Sequence, residues 1–562
     1  MKKNVLSFVS LMSLSFLSAF PSDSLLPYDD ADGSVSNIVS WVDTSLDGSE
    51  KFVLRVDGKP FYPTNIQVRL DKLYGYKGWD DSSMEAVIKQ ASDDGFNTLS
   101  IPVHWREIEP VKDVFNWSIL DKYMGWCRKY NLKMELLWFS WSSGGRVQYL
   151  WNVNGRREPR TPDYVCSISG TSEYNVLHKE WEYSLDWRDA ELCERETYVV
   201  GAMMEHIAQW DSENGSPHTV IGVQLGNEPR GYMENEADSH EIIDYYSRVG
   251  EAVKKSPYVV WTRLNCVYGD TFLRIKANEE KREQEGTYID FVGIDVYGGK
   301  ASKILGDVDG QLPEYGKNYR MIMEAGADDS DAPVLQIAAL AGDKAFDYYN
   351  MAAVDGNCLY NADGTVLKEK AHIKYVRQRN KMLNLANQEI ALKSHKKGMF
   401  VYNSTGSSMN ASTGLEGIRF KPGSKSTQAI AVRLGDGELL LLATSVGSFE
   451  FPENMTITEA SYGYMDSSNE WMEDADKPVH IFGNRLEVTD VCCIKISYSV
   501  DTGISSSEFD CKNGNVFIEN GKISADAEVY TIDGRFVGKD EDFSGGVYVV
   551  KKNGQIGKVL IH

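Results

Sequence analysis

Two glutamates in this chain follow short apolar runs, where carboxyl chemistry is commonly built. The first closes Val220-Ile-Gly-Val-Gln-Leu-Gly-Asn-Glu-Pro229, an apolar strand ending in Asn227, Glu228 and Pro229. Pro229 has no N–H to give a sheet and turns the chain outward. The second closes Tyr319-Arg-Met-Ile-Met-Glu-Ala-Gly326, where Glu324 is followed by Gly326 and an acidic loop. Hydrolysis of a glycosidic bond with retention needs two carboxyl groups on opposite sides of the anomeric carbon, about 5–5.5 Å apart. One protonates the leaving oxygen and the other attacks. In this reading Glu228 is the acid/base and Glu324 the nucleophile. Asn227 would hydrogen-bond the sugar 2-hydroxyl, a contact that strengthens in the transition state. Between the glutamates lies Asp290-Phe-Val-Gly-Ile-Asp-Val-Tyr-Gly298, whose Tyr297 would donate its hydroxyl to Glu324. An Asn-Glu-Pro after a strand is also an ordinary turn, so the weight rests on the ordered set.

Such a pair must be held by elements that bring distant strand ends together. From Phe52 to about Tyr360 short apolar runs alternate with amphipathic stretches, the signature of βαβ units. Eight strands are predicted: Phe61–Val68, Thr98–Val103, Lys133–Phe139, Thr219–Leu225, Val259–Leu264, Phe291–Val296, Arg320–Met323 and Ala345–Tyr349. Helices are predicted between them at Ser82–Asp94, Ser118–Tyr130, Glu191–Trp210, His240–Lys255 and Ala332–Ala341. Eight strands are what a closed (β/α)8 TIM barrel needs, and active sites of such barrels form at the C-terminal strand ends. The fold class expected is therefore α/β, a barrel spanning about 50–395. A helix over Glu369–Ser394 leads out of it. An antiparallel β-sandwich over 396–500 follows, with strands at Ala429–Arg433, Glu438–Thr444 and Leu486–Tyr498. After a Ser-rich linker, Gly503–Ser507, comes a small β-module over 508–562.

Other residues at strand ends are candidates for the substrate site. Arg69 ends the first strand; it steadies the nucleophile, binds a sugar hydroxyl, or makes a barrel-rim ion pair. His104, Trp105, Trp138 and Trp141 follow strands two and three and would wall a sugar subsite, or else pack under the loops. Trp261 on strand five is a candidate stacking platform. Glu107 and Glu109 read as structural. The long segment Ser142–Asp189, rich in Gly, Arg, Pro and Trp, either lines the site or runs over the outer helices.

These motifs, in this order, resemble clan A glycoside hydrolases, and within them the family 35 and family 42 β-galactosidase-like group. Asp57-Gly-Lys-Pro-Phe-Tyr62 resembles the group's opening strand. Asn97-Thr-Leu-Ser-Ile-Pro-Val-His-Trp-Arg-Glu-Ile-Glu-Pro110, with Phe115, Leu120 and Asp121, resembles its second strand and helix, and Leu136-Leu-Trp-Phe139 its third strand. The resemblance covers about 52–360 and implies a retaining β-glycosidase, with a β-galactosidase as one member of the range. It has departures: Gly226 stands where family 35 usually has the first Glu of Glu-Asn-Glu, and Asp295 stands where several clan families have His. Both positions are expected to line the sugar subsite, so galactose specificity does not carry over, whereas retention does.

Composition narrows the alternatives. Of 562 residues, 82 are Asp or Glu and 59 Lys or Arg, giving a net charge of −23, which repels nucleic acid and anionic membrane surfaces. A carbohydrate is the expected partner, and no nucleic acid. Lys2 and Lys3 precede an apolar stretch, Val5–Phe20, that is short and Ser-rich; it reads as a signal peptide over 1–20, so the protein is expected to be exported. No later run is apolar enough to span a bilayer. The 8 Cys show no Cys-x-x-Cys pair, and the 9 His form no His-x-His at a strand end, so no metal site is expected. No Walker loop or dinucleotide fingerprint is present, and no cofactor is expected. A carbohydrate-binding protein on a decayed barrel is the alternative from another class. Val529-Tyr-Thr-Ile-Asp-Gly-Arg535, Gly545-Gly-Val-Tyr-Val-Val550 and Lys558-Val-Leu-Ile561 resemble the C-terminal sorting domain of Bacteroidota type IX secretion; the alternative is a small accessory module.

Overall fold

The computed structural model describes residues 37–46, 49, 51–69, 73–74, 78–140, 149–151, 157–165, 188–229, 238–267, 287–298, 300–305, 318–326, 332–349, 351, 359–365, 371–501, 518–519, 522–523, 527–531, 536–538, 546–552 and 555–561. The expected leader, Trp141, most of Ser142–Asp189 and the Gly503–Ser507 linker lie outside the described residues.

Eight parallel strands close into a barrel in chain order. They are β1 (Thr64–Gln67), β2 (Thr98–His104), β3 (Lys133–Phe139), β4 (Val220–Asn227), β5 (Trp261–Cys266), β6 (Phe291–Asp295), β7 (Met321–Gly326) and β8 (Ala345–Tyr349). The outer layer holds α1 (Asp81–Asp93), α2 (Trp105–Ile108), α3 (Ser118–Lys129), α4 (Ala190–Glu213), α5 (Asp238–Lys254), α6 (Ala301–Leu305) and α7 (Ala332–Ala341), followed by α8 (Ala371–Asn384) and α9 (Asn387–Leu392). Helix α1 illustrates how the ring is stitched on. Asp80 caps it by accepting from the Ser83 N–H at 2.9 Å. Its buried residues Met84, Val87, Ile88 and Ala91 form one stripe at helical spacing. Burying each larger side chain is worth roughly 1.5–3 kcal/mol.

All eight expected strands are present, with two corrections to the wider strand reading. The expected Phe61–Val68 strand is two elements: Lys59–Phe61 pairs antiparallel with Val53–Val56, while β1 starts at Thr64 in the barrel. Pro63 between them cannot donate to a ladder, so the chain changes sheet there. Likewise, Leu486–Tyr498 is split into Arg485–Val488 and Cys492–Val500, which belong to different sheets. Strand-like composition does not show where a chain crosses from one layer of a sandwich to the other. That sandwich has a six-stranded and a five-stranded antiparallel sheet. On the face of the six-stranded sheet turned to the barrel, Met399, Val401, Ile430, Val432, Leu440 and Leu442 share a core with Ile337 and Leu340 of α7 and with Met382 and Leu383 of α8. The chain divides into two compact units, the second made of 499–562 with 453–456. Within the second, Gly546–Lys552 pairs with both Glu528–Thr531 and Gln555–Ile561.

The lower barrel is polar inside. Arg263 of β5 is fully buried, 2.8 Å from Glu135 of β3 and 3.8 Å from Asp347 of β8. Ser100 of β2 donates to Glu135 or Asp347, at 3.1 and 3.0 Å, and accepts from Asn65 of β1 at 2.7 Å. Burial pushes the Asp347 carboxyl well above the usual carboxylate range, with Arg263 opposing. Trp261 completes this layer, donating from Nε1 to Glu135 at 3.1 Å. Beneath it an antiparallel three-stranded sheet that includes Ser40–Asp43 meets the barrel, where Ser40 Oγ accepts from the Trp261 N–H at 3.1 Å and donates to the Ile221 carbonyl.

Above this layer two strands carry an extra residue. Along β4 the pairing with β5 jumps from Gln224 to Gly226, opposite Arg263 and Leu264. Along β7 the pairing with β6 jumps from Ile322 to Glu324, and the pairing with β8 skips in the same place. Each is a bulge, which breaks the alternation of side chains and re-aims the residues beyond it. In β4, Leu225 and Gly226 both face α5, and a Cβ at Gly226 would come within 2.4 Å of the Tyr246 ring. The position expected to line a sugar subsite therefore backs onto a helix. We predict that Gly226→Ala lowers stability by about 1–3 kcal/mol through overpacking. Calorimetric melting would measure it, and combining it with Tyr246→Ala should cost less than the sum of the two single changes.

Candidate active site

The two bulges turn Asn227 and Glu324 into the barrel mouth. Glu324 is 6 % exposed, and its carboxylate is met by donors from three other strands or strand ends. Tyr297, two residues beyond β6, donates its hydroxyl to Oε2. Gln67 of β1 and Asn265 of β5 each donate a side-chain N–H to Oε1 at 3.2 Å. Burial raises the Glu324 carboxyl above its ordinary value, and the negative charge of Glu228 adds to that; Tyr297, Gln67 and the positive charge of Arg69 pull the other way. Asn227 Oδ1 accepts from Asn265 at 2.9 Å and from Gln224 at 3.1 Å, which fixes its amide orientation. Glu228 comes next with φ +48°, a left-handed conformation costly for a residue with a Cβ. Its N–H donates to the Asn265 carbonyl at 2.7 Å, so the main chain is pinned as it leaves the strand.

Asp295 ends β6 beside both glutamates. It pairs with Glu324 in register, is 2 % exposed, and has Glu228 and Asn265 as polar neighbours. Burial, and then the charges of Glu324 and Glu228, push its carboxyl well above the usual range. The site thus gathers three carboxyl groups on the ends of β4, β6 and β7. Among the described residues no group of three or more His, Cys, Asp or Glu is arranged to hold a metal ion.

The remaining expected residues divide. Arg69 reaches the site: its guanidinium lies 3.5 Å from the Tyr349 hydroxyl and 5.4 Å from the centre of the Phe139 ring. Tyr349 in turn packs edge-on against Tyr297, with centroids 5.6 Å apart. His104 is fully buried against Phe139, 5.6 Å between rings. Trp105 and Trp138, expected as subsite walls, are fully buried behind the sheet instead. Trp138 donates to Glu196 of α4 at 2.7 Å and Trp105 to Glu109 at 3.0 Å. Glu135 faces the barrel interior, so Trp138, three residues on, faces the helices. Trp261, expected as a stacking platform, lies one layer too deep, bound to Glu135. Glu109 is structural as expected, fully buried and ion-paired with Arg195. Sequence reasoning missed Gln67, Gln224, Asn265, Phe139 and Tyr349. A signal was present for Gln224, which interrupts an apolar strand as Asn227 does; Gln67 and Asn265 lie in strands already rich in polar residues and do not stand out.

A barrel with convergent carboxyl groups at its C-terminal strand ends defines the class, and several known proteins are similar to the chain. A family model described as a domain of unknown function, DUF4978, matches residues 241–376. No curated protein matches the chain. Similar solved structures include the exo-β-1,4-mannosidase from Opitutaceae bacterium strain TAV5, at 16% identity and TM-score 0.41, covering 60% of this chain and 61% of that one. This chain therefore spans less than two thirds of that mannosidase. Another is endo-glycoceramidase II from Rhodococcus sp., solved as a lactosyl-enzyme intermediate, at 14% identity and TM-score 0.43, covering 78% and 98%. A third is the glycoside hydrolase family 5 mannosidase from Rhizomucor miehei, at 11% identity and TM-score 0.42, covering 62% and 98%.

Because the Tyr297 hydroxyl favours ionised Glu324, removing it must raise the Glu324 carboxyl further. In Tyr297→Phe we expect Glu324 to lose its proton at a higher pH than in the unaltered protein. Carbon-13 NMR titration of glutamate-labelled protein would show it, with Glu324→Gln identifying the resonance.

Proposed function

We propose that the protein is a retaining glycoside hydrolase that cleaves β-glycosidic bonds of oligo- or polysaccharides by double displacement. The observation that carries this reading is the set of donors converging on Glu324, which aim its carboxyl group in the barrel mouth that Glu228, just beyond β4, also borders. Glu324 attacks the anomeric carbon and forms a glycosyl-enzyme. Glu228 gives its proton to the leaving oxygen, then takes one from the water that attacks the glycosyl-enzyme. Asn227, oriented by Asn265 and Gln224, presents its N–H group to the sugar 2-hydroxyl. Arg69 offsets the negative charge at Glu324.

The resemblance to β-galactosidase-like families makes β-galactosides the first substrates to test. Because Gly226 backs onto Tyr246, recognition of the sugar falls to other groups, and among the described residues Asn227, Tyr297, Tyr349 and Arg69 are polar side chains near Glu324 suited to it. The apolar leader supports export, and the C-terminal strands support a sorting role or an accessory one. The net charge of −23 favours a neutral substrate over a polyanion.

A panel of nitrophenyl glycosides (galactoside, glucoside, mannoside, fucoside, arabinoside) tests the reading. We expect at least one to be cleaved, with the product first released in the anomeric configuration of the substrate by proton NMR. Glu324→Ala should lower kcat/KM by roughly a thousandfold or more, the scale of losing a covalent nucleophile. Activity surviving in that variant, or product of inverted configuration, would overturn the assignment. Oligosaccharide binding without hydrolysis would favour the carbohydrate-binding alternative.

A further inference from the structure

Asp295 is the carboxyl group at this site that the double displacement leaves without a task. Donors converge on Glu324, from Tyr297, Gln67 and Asn265, yet among the described residues neither oxygen of Asp295 receives a hydrogen bond of good geometry; the Asn265 amide is its neutral polar neighbour, and both oxygens are shut off from solvent. A buried carboxylate without a well-formed hydrogen bond is among the most expensive arrangements a protein can make. The same side chain as a neutral acid has a donor of its own, and Glu228 is the acceptor beside it. Two carboxyl groups in contact are bonded only when a proton lies between them. The charged and titratable groups around Asp295 agree. Glu228 at the end of β4 and Glu324 on β7 are both acidic, Tyr297 follows on its own strand, and the positive charge of Arg69 is spent on Glu324.

We propose that Asp295 is a positioning residue that donates its carboxyl O–H to Glu228 throughout the reaction. It rests on Glu228 being the acid/base. When Glu228 carries its own proton, the oxygen that accepts from Asp295 is occupied. The Glu228 proton is then confined to the other oxygen, the one turned to the leaving group. After that proton has gone to the leaving oxygen, the same bond steadies the Glu228 carboxylate until it takes a proton from the attacking water. Asp295 keeps its proton in both half-reactions, so protons balance without it. The half-buried Glu228 meets the substrate, and the buried Asp295 acts only through it.

Two variants separate this role from mere packing. Asp295→Asn keeps an N–H donor of similar shape; Asp295→Leu keeps bulk and loses the donor. Acid catalysis contributes on the order of 100-fold or more for a poor leaving group and little for a dinitrophenolate. With the glycoside the wild type cleaves best, we expect kcat/KM of Asp295→Leu to fall about 100-fold for the alkyl aglycone, and only a few-fold for the dinitrophenyl one. Asp295→Asn should recover all but about tenfold of the alkyl loss. Equal losses on both aglycones, no loss, or an Asn variant as poor as the Leu variant would each overturn the proposal. Should Asp295→Leu fail to fold, or no glycoside be cleaved, a second measurement decides. Carbon-13 NMR of protein labelled at the aspartate carboxyl carbons should show a neutral-acid resonance at pH 7 that disappears in Asp295→Asn. A resonance at the carboxylate position would overturn the proposal, whatever the outcome for the glycosidase reading.

Discussion

Placing a carboxyl group inside a closed barrel is the constraint on which the upper half of this structure depends. Glu324 is almost fully buried, and burial alone would drive it to the neutral acid. The barrel answers by bringing donors to one carboxylate from elements that are far apart in sequence. Gln67 and Glu324 are separated by 257 positions, Asn265 and Glu324 by 59, Tyr297 and Glu324 by 27. Only a sheet that closes on itself puts β1 beside β8 and lets residues so distant share one oxygen. The fold is in this sense the solvent of this buried carboxyl group, with fixed dipoles in place of mobile water.

The same closure imposes a second constraint, which the bulges meet. In a regular strand the polar layer at Glu135, Arg263 and Asp347 would fix the parity of everything above it. On β4 and β7 strict alternation would send Asn227 and Glu324 out to the helices. One extra residue in each strand, at Leu225 and near Met323, reverses the parity. The cost is local: Gly226 must do without a side chain, and Glu228 is left with a positive φ. Below the bulges the barrel is locked by buried ionic contacts that hold the strands in register, so the strain at the mouth is borne by a well-braced base.

The eight strands, the paired glutamates, Asn227 and Tyr297 were legible because their signals are local. A short apolar run that ends in a polar residue followed by Pro or Gly reads the same in any context. The aromatic residues were less legible. Trp105, Trp138 and Trp261 sit near strand ends in sequence, yet two lie behind the sheet and one lies a layer below the mouth. Which face a Trp occupies depends on strand parity and on partners such as Glu196, and Glu196 comes 58 positions after Trp138. The fused strand over Leu486–Tyr498 was misread for a similar reason: the change of sheet is a matter of layer, not of composition.

By itself, then, the sequence determined which residues were available at strand ends and in what order, because β-propensity and turn chemistry act over a few neighbours. Tertiary structure decided which of them face the mouth. Pairing between strands alone reveals an extra residue in one of them, since a bulge is a mismatch between two chains and not a property of either. That mismatch turned Gly226 away from the site expected for it and turned Glu324 inward. Closure of the barrel then placed Asp295 beside Glu228, from a strand that begins 63 positions later in the chain.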